Sequence, residues 1–212
     1  MTEEIDKTFK LATSYTIGSY IIPGEPIDKI QEIVKRKIQL SVIPCDKILA
    51  SVKSGEFELG IIESHLSDDE LIFEEWMRDE LVVCSRKPLP DNFGEESISY
   101  CKLICRPKGA LTRAFITDFL EKFNLSYYSF GSLIEMDSPT ALIQSVKWSR
   151  PNTEHPTIAI VSQLAIESEL KYEELYQSRI NNTPMVRKFH FIYDENCVNI
   201  DEIHEIINTL KE

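Results

Sequence analysis

Along this chain the spacing of apolar positions switches repeatedly between the strand period and the helix period, and the order of switching outlines the fold. Residues 9–13, FKLAT, form a short, largely apolar run that reads as a strand. A hydroxyl-rich bend follows, with Ser14 and Thr16 ahead of Ile17 and Gly18, and predicts a helix start. Residues 25–37 place Ile27, Ile30, Ile33 and Val34 on one helical stripe, with Pro26 suited to the first turn. Residues 38–43 alternate as a strand closed by Pro44, and residues 46–53 read as a short helix ended near Gly55. Residues 57–63, FELGIIE, are almost continuously apolar, the pattern of a strand covered on both faces. Strand, helix, strand, helix, strand is the signature of an α/β architecture.

The same alternation then recurs without any repeat in sequence. Residues 71–76 and 80–84 look like two strand pieces, and RKPLP at 86–90 is a stiff polar crossing. Residues 103–105 predict a strand and 111–123 a helix with Phe115, Ile116, Phe119, Leu120 and Phe123 on one face. Residues 132–135 predict a strand, and Ser138 and Pro139 have the chemistry of an N-cap and first position for the helix that follows. A polar loop at 148–155 leads to a buried strand at 157–161, a short helix opened by Ser162 and a short strand at 175–180. The strand-like PMVRKFHFIY at 184–193 and a helix at 199–210 fit best as a return to the first unit. The expected organisation is therefore two α/β lobes joined by two crossings, with residues 1–86 and 185–212 in lobe I and 87–184 in lobe II.

Composition narrows the function classes. The 212 residues are 42% hydrophobic and 27% charged, and no apolar run reaches the ~18 residues that span a bilayer. The acidic start MTEEIDK has no apolar core of a signal peptide, so a cytoplasmic location is the default expectation. Acids outnumber bases 35 to 23, a formal net charge of -12, and no dense basic cluster marks a nucleic-acid face. The acids between 63 and 80 read as a solvated connection and edge strand, since no glycine loop spacing supports a cation site. Five cysteines, an odd number, read as buried thiols rather than a disulfide framework.

The candidate chemistry lies at strand ends. Ser14 and Thr16 follow the first strand, Ser64 follows GIIE, Ser138 and Thr140 follow LIEMD, and Ser162 follows IAIV. In open α/β sheets ligands sit beyond the carboxyl ends of strands. Two lobes presenting such ends to one another make a cleft of helix starts and hydroxyls, suited to a small organic or inorganic anion. Each serine or threonine alone also reads as a plain helix cap. No GxSxG, GxxxxGK or HExxH occurs, the glycines form no dinucleotide fingerprint, and His65, His155, His190 and His204 are scattered. No catalytic residue, metal site or cofactor is expected.

ATSYTIGSYIIP resembles the opening of the effector-binding (substrate-binding) domain of LysR-type transcriptional regulators, where Ser/Thr-x-Thr-Ile-Gly precedes an apolar pair and a proline. SVKSGEFELGIIES, MRDELVVCSRKPLP, RPKGALTRAF, SPTALIQSV and IAIVSQLAIESEL are similar to later segments of that family in the same order, covering about residues 9–212. The resemblance implies a type 2 periplasmic-binding-protein fold with two Rossmann-like lobes. It implies an effector in the inter-lobe cleft that alters the regulator's assembly on DNA, and a homodimer or tetramer formed through the lobes. It also implies effector contacts at Ser14 and Thr16, then Ser64, Ser138 and Ser162. Arg113 matches the family's Thr-Arg and could reach an anion or form a surface salt bridge. Ala110 and Leu111 stand where the family turn carries Ser and Gly, and WSRPNTEHPT replaces its usual Gly-hydrophobic-Gly step. The family's helix-turn-helix is not in this chain, so DNA contact is expected only through such a domain. A solute-binding protein of transport and an enzyme on the same fold are the alternatives.

Overall fold

The protein is described by a computed structural model that covers residues 8–63, 67–91, 93–151 and 154–212. The chain divides into two compact units, Met1–Arg78 with Arg187–Glu212, and Asp79–Val186.

In the first unit, β1 (Phe9–Thr13) leads into a helical turn, then α1 (Glu25–Val34), β2 (Ile38–Val42), α2 (Cys45–Lys53), β3 (Leu59–Ile62) and β4 (Ile72–Ser85). β1 lies parallel between β2 and β3, pairing Leu11 with Leu40 on one side and Leu59 on the other. β2 is the half-exposed edge of this sheet, whereas β3 is buried along its whole length, as its unbroken apolar run requires. α1 buries Ile30 and Val34 and stops where Lys35 turns left-handed at φ 50°. The alternation that suggested two strand pieces at 71–76 and 80–84 belongs to one strand, β4. Its first half is partly exposed and reads as polar, while residues 81–85 are buried. The boundary between the two compact units falls inside β4, after Arg78.

The second unit continues through α3 (Glu95–Ile98), β5 (Lys102–Cys105), α4 (Leu111–Glu121), β6 (Ser132–Glu135), α5 (Pro139–Lys147), β7 (Thr157–Ser162), α6 (Glu167–Lys171) and β8 (Tyr176–Ser178). β5 lies parallel between β6 and β7, so their carboxyl ends share one edge, and β7 and β8 run antiparallel to the second half of β4. The core gathers Phe93, Leu103, Phe119, Leu120, Ile158 and Ile160. Glycine is required at Gly131, where a Cβ would lie 2.6 Å from the Ser99 carbonyl oxygen. Ser162 does not open an α-helix directly: a 3-10 turn at Leu164–Ile166 intervenes before α6.

β9 (Met185–Tyr193), which enters the first unit at Arg187, and α7 (Ile200–Lys211) complete that unit. β9 runs antiparallel to β3, with Ile62 opposite His190, and α7 packs its Ile203, Ile206 and Ile207 face inward against α1. Trp76 of β4 stacks at 5.0 Å on Phe191 and donates its indole N–H to the Leu210 carbonyl. No helix among the described residues is long and apolar enough to cross a membrane.

Candidate functional site

The end of β1 is built by close backbone approach. Ser14 donates its N–H to the Ile61 carbonyl at 3.1 Å, tying β1 to β3, and its own carbonyl accepts the Gly18 N–H at 2.9 Å. Thr16 is the N-cap of the turn that follows and makes no side-chain capping bond, and the Ser14 hydroxyl makes none either. The helix widens at once into a π-turn, Ile17–Ile21, closed by Ile22 N–H to the Ile17 carbonyl. Such turns are uncommon and concentrate at functional sites. Gly18 is obligatory here because a Cβ would stand 2.2 Å from Thr13 Oγ1 and 2.6 Å from Val42 Cγ2.

Thr13, Ser14 and Thr16 are all buried, at 0%, 2% and 5% exposure. The Thr13 and Ser14 hydroxyls have no hydrogen-bond partner among the described residues. Buried polar groups in folded proteins are normally satisfied, so two adjacent buried hydroxyls without a partner at the carboxyl edge of a parallel sheet stand out. The Thr16 hydroxyl accepts from the Arg187 guanidinium at 3.4 Å. Arg187, 2% exposed, also faces the Glu63 carboxylate at 3.6 Å, and Glu63 is itself 7% exposed. Cys45 at the start of α2 senses both charges: burial pushes its thiol up, the Glu63 charge adds to that, and Arg187 opposes it. Ser64 lies outside the described residues.

In the second unit the candidate hydroxyls line the carboxyl edge shared by β6 and β7, and they are differently occupied. Ser162 donates to Asp79 Oδ1 at 2.7 Å and accepts the Ala165 N–H at 3.3 Å, so both its roles are taken within the protein. Ser138 caps α5, accepting the Ala141 N–H at 3.5 Å, and Thr140 is exposed on the first turn of the same helix. Arg113 is held by the protein: it pairs with Glu135, donates to the Arg106 carbonyl at 2.7 Å and lies 4.4 Å above the Tyr127 ring. Burial works against its charge and the Glu135 carboxylate more than offsets that, so its pKa stands above the ordinary value. It lines a cavity of about 510 Å³ with Lys108, Thr117, Tyr127 and Glu135.

Ser14 and Thr16 therefore stand together in one unit, beside Arg187 and Glu63, which sequence reasoning did not select. The signal for Arg187 lay in the alternation of β9, which sends Met185, Arg187, Phe189 and Phe191 to the same buried face. An arginine at an inward strand position is the anomaly that identifies it. Glu63 and Asp79 bound the acidic stretch read as solvated, yet both side chains are buried. Among the described residues no cluster of three or more His, Cys, Asp or Glu side chains is arranged to hold a metal ion.

The family model for the LysR substrate binding domain matches residues 2–212. The chain is 24% identical to the HTH-type transcriptional regulator CysL of Bacillus subtilis over 208 residues, 95% of this chain and 66% of that protein. It spans just under two thirds of that regulator's length. Among solved structures it is similar to the regulatory domain of CcmR from Synechocystis PCC6803 in complex with 2-PG, with a TM-score of 0.76, 19% identity and 97% of each chain covered. It is also similar to the effector binding domain of QuiR in complex with shikimate, with a TM-score of 0.72, 16% identity and 94% of each chain covered.

Proposed function

The chain belongs to the LysR substrate binding domain family, and from that premise we propose that it senses a small molecule through the wall formed by Thr13, Ser14, Thr16 and Arg187. The family is regulatory rather than catalytic, and its fold-mates include domains solved with 2-PG and with shikimate. The observation that carries the reading is the pair of buried, unpartnered hydroxyls on Thr13 and Ser14. An unsatisfied buried polar group costs about 1–3 kcal/mol, and a ligand bearing an anionic group recovers that by accepting from both. Arg187 sits one hydroxyl away, through Thr16, and supplies positive charge.

Binding there acts by population shift. A ligand that meets this wall better in one arrangement of the domain than another moves the equilibrium by the difference in its two affinities. In a LysR-type regulator that difference would be passed to the assembly of the whole protein on DNA, through a DNA-reading domain elsewhere in the protein. In the second unit we infer that Ser138 and Thr140 are that unit's own candidate contacts, while Ser162 and Arg113 already hold partners within it.

A thermal-shift screen of organic acids, amino acids and inorganic anions against the chain tests the reading. At least one is expected to raise the Tm, and the combined Ser14→Ala and Thr16→Ala replacement to abolish that rise. A regulator whose effector response survives both replacements would overturn it.

A further inference from the structure

We propose that Arg86, Lys87, Trp148 and Arg150, all in the second unit, form a docking surface for an acidic peptide segment of a partner protein that carries a bulky apolar side chain. These residues are remote in sequence and one hydrogen bond joins them: Arg86 Nη1 donates to the Ser149 carbonyl at 2.5 Å. The guanidinium is thereby set beside the turn that carries Trp148 and Arg150. Lys87 is fixed next to it, its carbonyl accepting the Ser85 hydroxyl at 2.6 Å. Trp148 is the C-cap of α5 and is 74% exposed. Its indole N–H donates to Gln144 Oε1 at 2.9 Å. Lys87 and Arg150 are exposed, and Arg86 is half-buried.

A single exposed aromatic side chain needs no partner to explain it. An indole grouped with cations on a chain of net charge -12 is a different case. Among the described residues Arg86, Lys87 and Arg150 form no ion pair, although acids outnumber bases in the chain. Lys147, the residue before Trp148, pairs with both Glu169 and Glu174; with those acids included, four cations stand against two. Charge complementarity therefore selects an anionic partner. Tryptophan and arginine are also the residue types that carry most of the energy at protein interfaces. Here Arg86 and Trp148 are already held by hydrogen bonds within the unit, so less side-chain freedom is lost when a partner arrives. A peptide suits this face better than a nucleic-acid duplex. Three unpaired cations neutralise too few phosphates for firm binding at physiological salt, and the rest of so acidic a chain repels a long polyanion. A short acidic segment meets only the charge within about 8 Å of it, and its apolar side chain packs on the indole ring.

The test is fluorescence anisotropy of the chain with short labelled peptides of Glu and Asp around one Leu, Phe or Trp. Their Gln and Asn counterparts and a short DNA duplex serve as comparisons. At least one acidic peptide is expected to bind about tenfold or more tighter than its amide counterpart, and to weaken as salt is raised. Trp148→Ala is expected to weaken it about fivefold or more. Arg86→Glu combined with Arg150→Glu is expected to weaken it about tenfold or more. Should that pair fold poorly through loss of the Arg86 bond to Ser149, Lys87→Glu with Arg150→Glu reverses exposed charge without touching that bond and decides the point. The proposal is overturned if no acidic peptide binds, if the duplex binds as tightly as the best peptide, or if binding is indifferent to charge reversal and to Trp148→Ala.

Discussion

Replacing Arg187 by methionine removes a buried guanidinium and leaves the Glu63 carboxylate facing the gap. At 3.6 Å and an effective dielectric constant of about 20, the attraction lost is about 4–5 kcal/mol before solvation is counted. Measured consequences of removing one partner of a buried pair run to about 3–5 kcal/mol, most of it the cost of the charge left behind. The attraction acts across 3.6 Å, so the lower part of that range is expected. For a chain of this length 1 kcal/mol corresponds to about 2–4 °C in Tm, which puts Arg187→Met about 6–12 °C below wild type in differential scanning calorimetry. Adding Glu63→Leu removes the orphaned charge, and the double variant is expected within about 1 kcal/mol of wild type. The double-mutant cycle therefore carries a coupling of about 2 kcal/mol or more. Costs that simply add, with Arg187→Met below about 1 kcal/mol, would refute the idea that this wall is held by a mutually compensating buried pair.

Gly18→Ala forces a Cβ against Thr13 Oγ1 and Val42 Cγ2 and is expected to cost about 1–3 kcal/mol by thermal melting. Ser162→Ala removes a hydroxyl that donates to buried Asp79 and is expected to lower stability by about 1.5–3 kcal/mol in urea unfolding. Glu74 is held below its ordinary value of 4.5 by the Lys211 hydrogen bond. Its contribution is therefore fully present above that value and is lost as pH falls through 4.5 toward the lower folded value. Glu74→Gln should lower the Tm at neutral pH by that contribution and leave the most acid end nearly unchanged, so that the acid side of the Tm–pH curve is flatter. All five cysteines are free and only Cys197 is not buried. Burial pushes Cys84 up to about 12 and Cys101 to about 11, so a thiol reagent at pH 8 should titrate Cys197 rapidly and the rest only after denaturation.

Most of the fold was readable because each element announces itself by a period. FELGIIE could hardly be anything but a doubly covered strand, and Ser138-Pro139 marks the start of α5 to the residue. β4 was harder, because its first half is partly exposed and carries Glu74, Glu75, Arg78 and Asp79. A polar interruption in a strand looks like its end when the neighbouring strand is unknown. At the candidate site, Ser14 and Thr16 were legible from their place after a strand. Thr13 was hidden as an ordinary strand residue, and its open hydroxyl depends on the approach of Gly18 and Val42. Arg187 and Glu63 are some 120 residues apart in sequence, and only the antiparallel pairing of β3 with β9 brings them to one face. Ser162 illustrates the opposite case: its hydroxyl looked available until the fold placed Asp79 beside it.

The most direct test of the account is an NMR titration of the isotope-labelled chain with the best ligand from the screen. Binding at the proposed wall predicts saturable shifts in the backbone amides of Ser14, Thr16 and Gly18 and in the Arg187 guanidinium. Saturable binding that leaves those signals unmoved while others shift would contradict it.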